Sequence, residues 1–220
     1  MRSCSWRLWV VTSLLMLTVA VTRAEASVIG VGVGAFGAGS TLTTFAGLAD
    51  GTEVNGLIVN GIQYSYSLGN GQVIIDGGPG TTNNITPPNV VSFGNNTGTF
   101  TLTFPTQNSQ FGFGYAVLAT FPVTNATTIT LFDGATNVGS LSYNASPDPI
   151  FAGGFAGISS TIPFNSARVT FNSAVANAFA LDNVRTTPVI SAPEPSTVVL
   201  LAIGLGLMVF CRRSASASIL

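Results

Sequence analysis

Histidine and lysine are absent from the 220-residue chain, and its only two cysteines, Cys4 and Cys211, lie near the ends. Without histidine, lysine or cysteine, the nucleophile–base pairs of common hydrolases cannot be assembled between residues 27 and 190. The same lack excludes a disulfide framework or a thiolate metal site there. Any catalysis in this region would have to rely on carboxylates, and we expect no enzyme.

Basic residues are also scarce. Between residues 27 and 192 the chain has two arginines, Arg168 and Arg185, and six acidic residues, which gives this region a net charge of −4. A protein that binds nucleic acid must neutralise several phosphates with lysine and arginine side chains. We therefore expect no nucleic-acid partner.

The N-terminal segment, residues 1–26, has a positively charged start, an apolar centre and a small-x-small end, as secretory signal peptides do. Cleavage would leave Ser27 as the first residue of the exported protein. An uncleaved signal anchor is the alternative, but the cleavage site is placed where a signal peptidase needs it. The charged start is formed by Arg2 and Arg7, and the small residues of the cleavage site are Ala24 and Ala26.

The C-terminal segment, residues 191–220, begins with a proline-rich break and continues into an uncharged run, 196–211. As a helix this run would be about 24 Å long, a little shorter than the roughly 30 Å hydrocarbon core, so flanking residues must cover the difference. The arginine pair that follows should stay in the cytoplasm, which places the preceding body outside. We predict one transmembrane helix over 196–211.

This tail resembles the PEP-CTERM sorting signal of Gram-negative bacteria. The family pattern is a Pro-Glu-Pro triplet, a short Gly/Leu-rich membrane segment and a terminal arginine cluster. The resemblance implies processing by an exosortase-like enzyme in organisms that make exopolysaccharide or biofilm matrix. A GPI signal is the competing interpretation, but such tails lack a closing arginine pair. The residues that carry the resemblance are Pro193, Glu194, Pro195, Arg212 and Arg213.

The body, residues 27–190, alternates apolar and polar residues with the period of a β-strand, most clearly in 62–67 and 99–104. Turn sequences such as Asp133-Gly134 separate these segments. Short strands with one apolar face need two sheets packed face to face, so we predict an all-β antiparallel sandwich of jelly-roll type. Further strands are predicted at 111–117, 128–132, 140–143, 167–171 and 178–184.

The body also resembles the jelly-roll ectodomains common in PEP-CTERM proteins. Its early element 45–52 and its last strand 179–184 carry this second resemblance. It supports the fold rather than an activity.

Four polar residues form a candidate metal site. Jelly rolls that bind carbohydrate often hold a structural calcium between an early loop and the last strand, and carboxylate and amide oxygens are its ligands. The alternative is that Asp50 and Gly51 make a turn and that the two last-strand residues end a strand. The candidate calcium ligands are Asp50, Glu53, Asp182 and Asn183.

Aromatic side chains are the usual platforms for sugars. Both tryptophans fall in residues 1–26, so only tyrosines and phenylalanines are available in the body. The alternation of the tyrosines with polar residues indicates core positions instead. The tyrosines concerned are Tyr64, Tyr66, Tyr115 and Tyr143.

We expect a non-catalytic exported protein that is held in the membrane by its tail until an exosortase-like enzyme processes it. It would then act at the cell surface or in the extracellular matrix, in association with exopolysaccharide. Two alternatives stay open. One is a protein-binding adhesin that uses the sandwich loops, and the other is a glycosidase-like surface hydrolase that acts through Asp50, Glu53, Asp76 or Asp182.

Overall fold

The computed structural model describes residues 27–94 and 97–189. The predicted signal peptide and cleavage residues Ala24 and Ala26, the transmembrane helix and the sorting motif lie outside the described residues. No helix within the described ranges is long and apolar enough to cross a membrane. The elements are β1 Val28–Gly30, a 3-10 helix Val33–Ala35, β2 Thr41–Thr43, β3 Ile58–Val59, β4 Ile62–Tyr66, β5 Val73–Asp76, β6 Asn89–Phe93, β7 Phe100–Val117, β8 Val123–Asp133, β9 Thr136–Pro147, β10 Ala152–Phe171 and β11 Ala178–Pro188.

Two long strands, β7 and β10, run through both of the sheets that make up the fold. They pair with each other at both of their ends, and the register between them shifts at Phe164, in the middle of β10. Pro105 and Pro163 lie in these middle sections. Proline has no N–H to donate to the ladder, so strands bend or change partners where it occurs.

All eleven strands belong to one continuous hydrogen-bonded sheet, which folds at the middle sections of β7 and β10 into two layers, called here the first and the second sheet. The first sheet contains β3, β4, residues 100–103 of β7, residues 166–171 of β10, β8 and β9. The second contains β5, β6, β11, residues 108–117 of β7 and residues 152–159 of β10. Strand β1 adds to β10 and β2 adds to β11, and all pairs are antiparallel. The structure therefore confirms the predicted all-β, jelly-roll-like sandwich.

Aromatic side chains fill the space between the sheets. Phe171 of the first sheet stacks on Phe179 of the second, with ring centroids 4.0 Å apart. Phe100 contacts the same Phe179 ring, and Tyr115 contacts Phe171. All four belong to the main buried cluster. Each fully buried ring of this size stabilises the fold by about 1.5 to 3 kcal/mol, so this contact is a principal link between the layers.

The strand predictions were correct in type but incomplete in extent. The segments 99–104 and 111–117, predicted as separate strands, are parts of the single strand β7. The segment 167–171 is only the last quarter of β10. The earlier part of β10 was missed because AGGFAGISS is rich in small residues and lacks clear alternation.

One long connection, residues 77–88 between β5 and β6, lies over the outer face of the second sheet, and we call it the cover loop. The main-chain oxygen of Asn84 approaches Gly114 so closely that a Cβ there would collide with it. Ile85 packs with Ala116 and Ala180 in a second small apolar cluster. The cover loop thus covers part of the outer face of this sheet.

Candidate functional site

Asp50 lies in a turn between β2 and β3. The main-chain N–H of Gly51 donates to the carbonyl of Ile75 at 2.8 Å, and that of Thr52 donates to the carbonyl of Ala49 at 3.1 Å. Gly51 has a φ of 80°, which glycine adopts without strain. The Asp50-Gly51 pair therefore has the turn role that the sequence offered as an alternative, and the Asp50 side chain is exposed.

Glu53 organises the loop around it. Its carboxylate accepts hydrogen bonds from the main-chain N–H of Gly71, at 2.7 Å, and from that of Asn55, at 3.3 Å. Asn55 in turn accepts a bond from the N–H of Tyr66. These contacts tie the loop before β3 to the connection between β4 and β5.

Asp182 and Asn183 hold the cover loop. Asp182 accepts a hydrogen bond from the N–H of Thr86 at 3.0 Å, and the Asn183 side-chain amide donates to the carbonyl of Asn84 at 2.7 Å. Asn183 adopts a φ of 51°, a left-handed conformation that asparagine tolerates better than most residues. The register of β11 against β7 shifts at these two residues, so they lie in an irregularity of the strand.

Burial changes the acid–base behaviour of Asp182, which is 1% exposed. Loss of solvent raises its pKa from 3.8 to about 6, against the opposing effect of the hydrogen bonds from Thr86 and Asn183. Its Oδ1 atom has no hydrogen-bond partner among the described residues. The hydroxyl of Tyr64 is likewise buried without a partner there, and burial together with the Asp182 charge raises the pKa of Tyr64.

Among the described residues, no three acidic, histidine or cysteine side chains lie close enough to hold a metal ion together. Asp50, Glu53 and Asp182 therefore do not form a shared cluster. Glu53 and Asp182 each already accept main-chain N–H groups. The structural calcium site stays a prediction from the sequence.

The tyrosines occupy core positions rather than exposed platforms. Tyr64, Tyr66 and Tyr115 are each at most 3% exposed. The Tyr115 hydroxyl donates to the carbonyl of Asn144, and that of Tyr143 donates to the carbonyl of Gly157 at 2.6 Å. The four rings thus pack within the fold, and the hydroxyls of Tyr115 and Tyr143 are bonded to main-chain carbonyls.

The outer face of the first sheet carries a continuous set of short hydroxyl side chains. It arises because inward positions such as Leu102, Ile129 and Val169 are buried in the core, while the residues between them point outward. The strand register places five outward residues in one cross-strand row. This row is Ser65, Thr101, Arg168, Thr130 and Ser140.

Two neighbouring rows continue the pattern. The row on one side contains Thr170, Thr128 and Ser142, and the row on the other side contains Gln63, Thr103, Ser166 and Phe132. We call these three rows together the hydroxyl face. Hydroxyl pairs join β8 to β9, with Thr128 to Ser142 at 2.8 Å and Thr130 to Ser140 at 3.0 Å.

Arg168 is the only charged residue of the hydroxyl face, and its side chain is exposed. Its guanidinium carbon lies 4.4 Å from the centroid of the Phe132 ring, a cation–π contact. This is a diagonal pair, because Phe132 pairs with Ser166 and Arg168 is two residues further along β10. No acidic side chain within the described ranges forms an ion pair with Arg168, so its hydrogen-bond donors are available.

Sequence reasoning missed this face. The outward threonines and serines were visible as the polar half of the alternation, but their alignment depends on the pairing of distant strands.

A groove of about 120 Å³ lies at the end of the second sheet, beside the cover loop. Its lining residues are Gly78, Pro79, Val91, Ala116, Val117, Leu118, Phe151, Ala178, Phe179 and Ala180, none of which titrates. It therefore offers no acid or base for catalysis.

Comparison with known proteins identifies the tail. Residues 191–214 match the PEP-CTERM protein-sorting motif. The PEP-CTERM motif covers the sorting residues Pro193, Glu194, Pro195, Arg212 and Arg213, so the resemblance seen in the sequence is confirmed for this segment. No curated protein matches the chain.

Solved structures similar to this chain include family 29 carbohydrate-binding modules. A mutant module is 10% identical, with 68% of this chain and 92% of the module covered and a TM-score of 0.38. Another mutant, complexed with mannohexaose, gives the same values. A third structure of such a module is 10% identical, with 68% and 90% covered and a TM-score of 0.37.

Proposed function

We propose that this chain is an exported, non-catalytic protein that an exosortase-like enzyme sorts to the cell surface or the extracellular matrix, where its body associates with exopolysaccharide. The PEP-CTERM motif at residues 191–214 is the observation that carries the proposal. The C-terminal segment anchors the protein in the membrane until it is processed. The signal peptide, residues 1–26, directs export, with cleavage before Ser27.

The chemistry of the body supports a binding role over a catalytic one. Carboxylates that the hydrolase alternative would use are engaged in holding loops: Glu53 accepts two main-chain N–H groups and Asp76 accepts that of Gly78. A glycosidase needs two free carboxyl groups on either side of a sugar bond. The apolar groove provides none.

The hydroxyl face is the part of the body best suited to polysaccharide. Threonine and serine hydroxyls both donate and accept hydrogen bonds, as sugar hydroxyls do. Short side chains on a rigid sheet also lose little conformational entropy when they are fixed by a ligand. The sheet presents them in rows on five neighbouring strand segments.

Cell fractionation tests the sorting proposal. The full chain is expressed with and without an exosortase-like enzyme, and the C-terminal peptide of the recovered protein is identified by mass spectrometry. We expect surface or matrix protein lacking the tail only when the enzyme is present.

Replacing Pro193, Glu194 and Pro195 together by alanine should leave unprocessed protein in the membrane. Ser218→Ala, which lies outside the matched residues, is the control and should be processed normally. Equal processing of the triple variant would refute the proposal.

A further inference from the structure

The positive charge of the body is carried by two arginines that differ in their access to solvent. Arg168 and Arg185 are the only basic residues between residues 27 and 192. The Nε of Arg185 is buried and has no hydrogen-bond partner among the described residues. Arg168 is exposed in the central row of the hydroxyl face. Of the two, Arg168 is therefore the one that a ligand can reach from solvent.

The contact with Phe132 gives the Arg168 guanidinium a defined position. Stacking on a ring 4.4 Å away restricts a side chain that would otherwise sample many rotamers. A guanidinium presents its N–H groups as a planar fork, which matches the two oxygens of a carboxylate or two oxygens of a sulfate. The ring thus pre-orders a donor for an anion.

The surroundings of Arg168 favour an anion carried by a sugar chain. In the same row, Thr101 and Thr130 pair directly with Arg168, one on each side. Strands lie about 4.8 Å apart, so the five-residue row extends over about 19 Å. A single small anion would contact only the guanidinium, whereas a polysaccharide chain laid along this row would also meet the hydroxyls.

We propose that the hydroxyl face binds acidic polysaccharide, and that Arg168, stacked on Phe132, selects chains bearing carboxylate or sulfate groups over neutral chains. This inference rests on the proposed association with exopolysaccharide and names its ligand class and selecting residue. The body as a whole opposes non-specific attraction of an acidic polymer, because its net charge, with Arg168 included, is −4. Binding of an acidic polymer to such a body requires a local site of the opposite sign.

The test measures binding of the full chain, purified in non-ionic detergent, to three immobilised polymers. Polygalacturonate supplies carboxylates, dextran sulfate supplies sulfates, and dextran is neutral. We expect the wild type to bind one or both acidic polymers more tightly than dextran, and the two acidic arms identify which anion is recognised. Added salt should weaken binding to the two acidic polymers, because it screens the charge of Arg168.

Arg168→Gln should weaken binding to the acidic polymer on the order of tenfold or more, because the charge-assisted hydrogen bonds of the guanidinium are lost. Arg168→Lys keeps the charge without the fork and should give an intermediate loss. Thr130→Val removes a hydroxyl from the row at nearly constant shape, and should weaken binding to all polymers. Thr81→Val, at an exposed position in the cover loop, is its matched control and should have no effect.

The outcomes separate the two proposals. One outcome is that the wild type binds polysaccharide and that Arg168→Gln binds each polymer with the same affinity as the wild type. In that case the selecting role of Arg168 is wrong, while the association with polysaccharide stands. If no polymer is bound by the wild type, both the hydroxyl-face site and the association are wrong. Because Arg168 is exposed, we expect both of its variants to keep the wild-type circular dichroism spectrum, which checks their folding.

Discussion

Replacing Asp182 by asparagine should stabilise the protein at neutral pH. The carboxylate is buried, and its Oδ2 atom accepts a hydrogen bond from the Thr86 N–H, whereas Oδ1 has no partner in the described part of the chain. A buried charge with an unsatisfied oxygen destabilises the folded state. An asparagine has nearly the same shape, carries no charge, and its carbonyl oxygen can still accept the Thr86 N–H.

The direction of the pH dependence follows from the raised pKa of Asp182. Folding raises this pKa from 3.8 to about 6, so the native state holds a proton that the unfolded state releases within this interval. The contribution of Asp182 to stability is therefore most favourable below pH 3.8, and it is lost as the pH rises through about 6. One pKa unit corresponds to about 1.4 kcal/mol. Solvent screening reduces the energy that this pKa shift implies. We therefore expect the ionised Asp182 to lower the free energy of unfolding by about 1 to 2 kcal/mol at neutral pH.

The assay is urea unfolding of the full chain in detergent, followed by far-UV circular dichroism, below pH 3.8 and above about 6. At each pH, the free energy of unfolding of the wild type is subtracted from that of Asp182→Asn. This difference isolates the contribution of Asp182, because the other carboxylates are the same in both proteins. We expect the variant to gain stability relative to the wild type as the pH rises. Asp133→Asn is the control, because Asp133 is exposed and accepts one bond from Gln107. A variant less stable than the wild type at neutral pH would refute the reasoning.

Three further predictions concern the core, the cover loop and calcium. Phe179→Ala should lower the free energy of unfolding in urea by about 3 to 5 kcal/mol, because it removes the ring that stacks on Phe171. The control Phe121→Ala replaces a side chain that is 53% exposed and should change this free energy by less than about 0.5 kcal/mol. Gly114→Ala should destabilise the protein by about 1 to 3 kcal/mol and speed proteolysis within the cover loop, because the new Cβ collides with the Asn84 carbonyl. The control Gly37→Ala has open space around the new Cβ and should change neither the stability nor the rate of proteolysis. Thermal unfolding in calcium and in EDTA tests the predicted calcium site, which requires a higher midpoint in calcium and the loss of that increase in Glu53→Gln; equal midpoints would contradict the site.

The part of the fold that local alternation encodes was predictable from the sequence. Tyr64, Phe100 and Leu102 were recognised as inward residues because side chains of a strand alternate whatever its partners are, and all three are buried. The joining of segments into β7 and β10 was not predictable in this way. It depends on strand bends near Pro105 and Pro163, where alternation is interrupted and the register shifts.

The candidate site was harder to predict than the fold. Ser65 and Arg168 lie in one row only because β4 and β10 both pair with the first part of β7, and no local pattern contains that register. The hydrogen bond that Asp182 makes with the cover loop was not predictable for a similar reason. A carboxylate in the last strand suggested a metal ligand, but its burial and its bond to Thr86 depend on where the cover loop lies.

The most direct test of the proposed non-catalytic role uses one mixture of the full chain with insoluble acidic polysaccharide. Sedimentation measures binding, and a reducing-end assay on the supernatant measures cleavage. We predict that the protein sediments with the polysaccharide and that no reducing ends are released above the protein-free control. Release of reducing ends that Asp50→Asn, Asp76→Asn, Asp182→Asn or Glu53→Gln abolishes would contradict this role and identify a hydrolase.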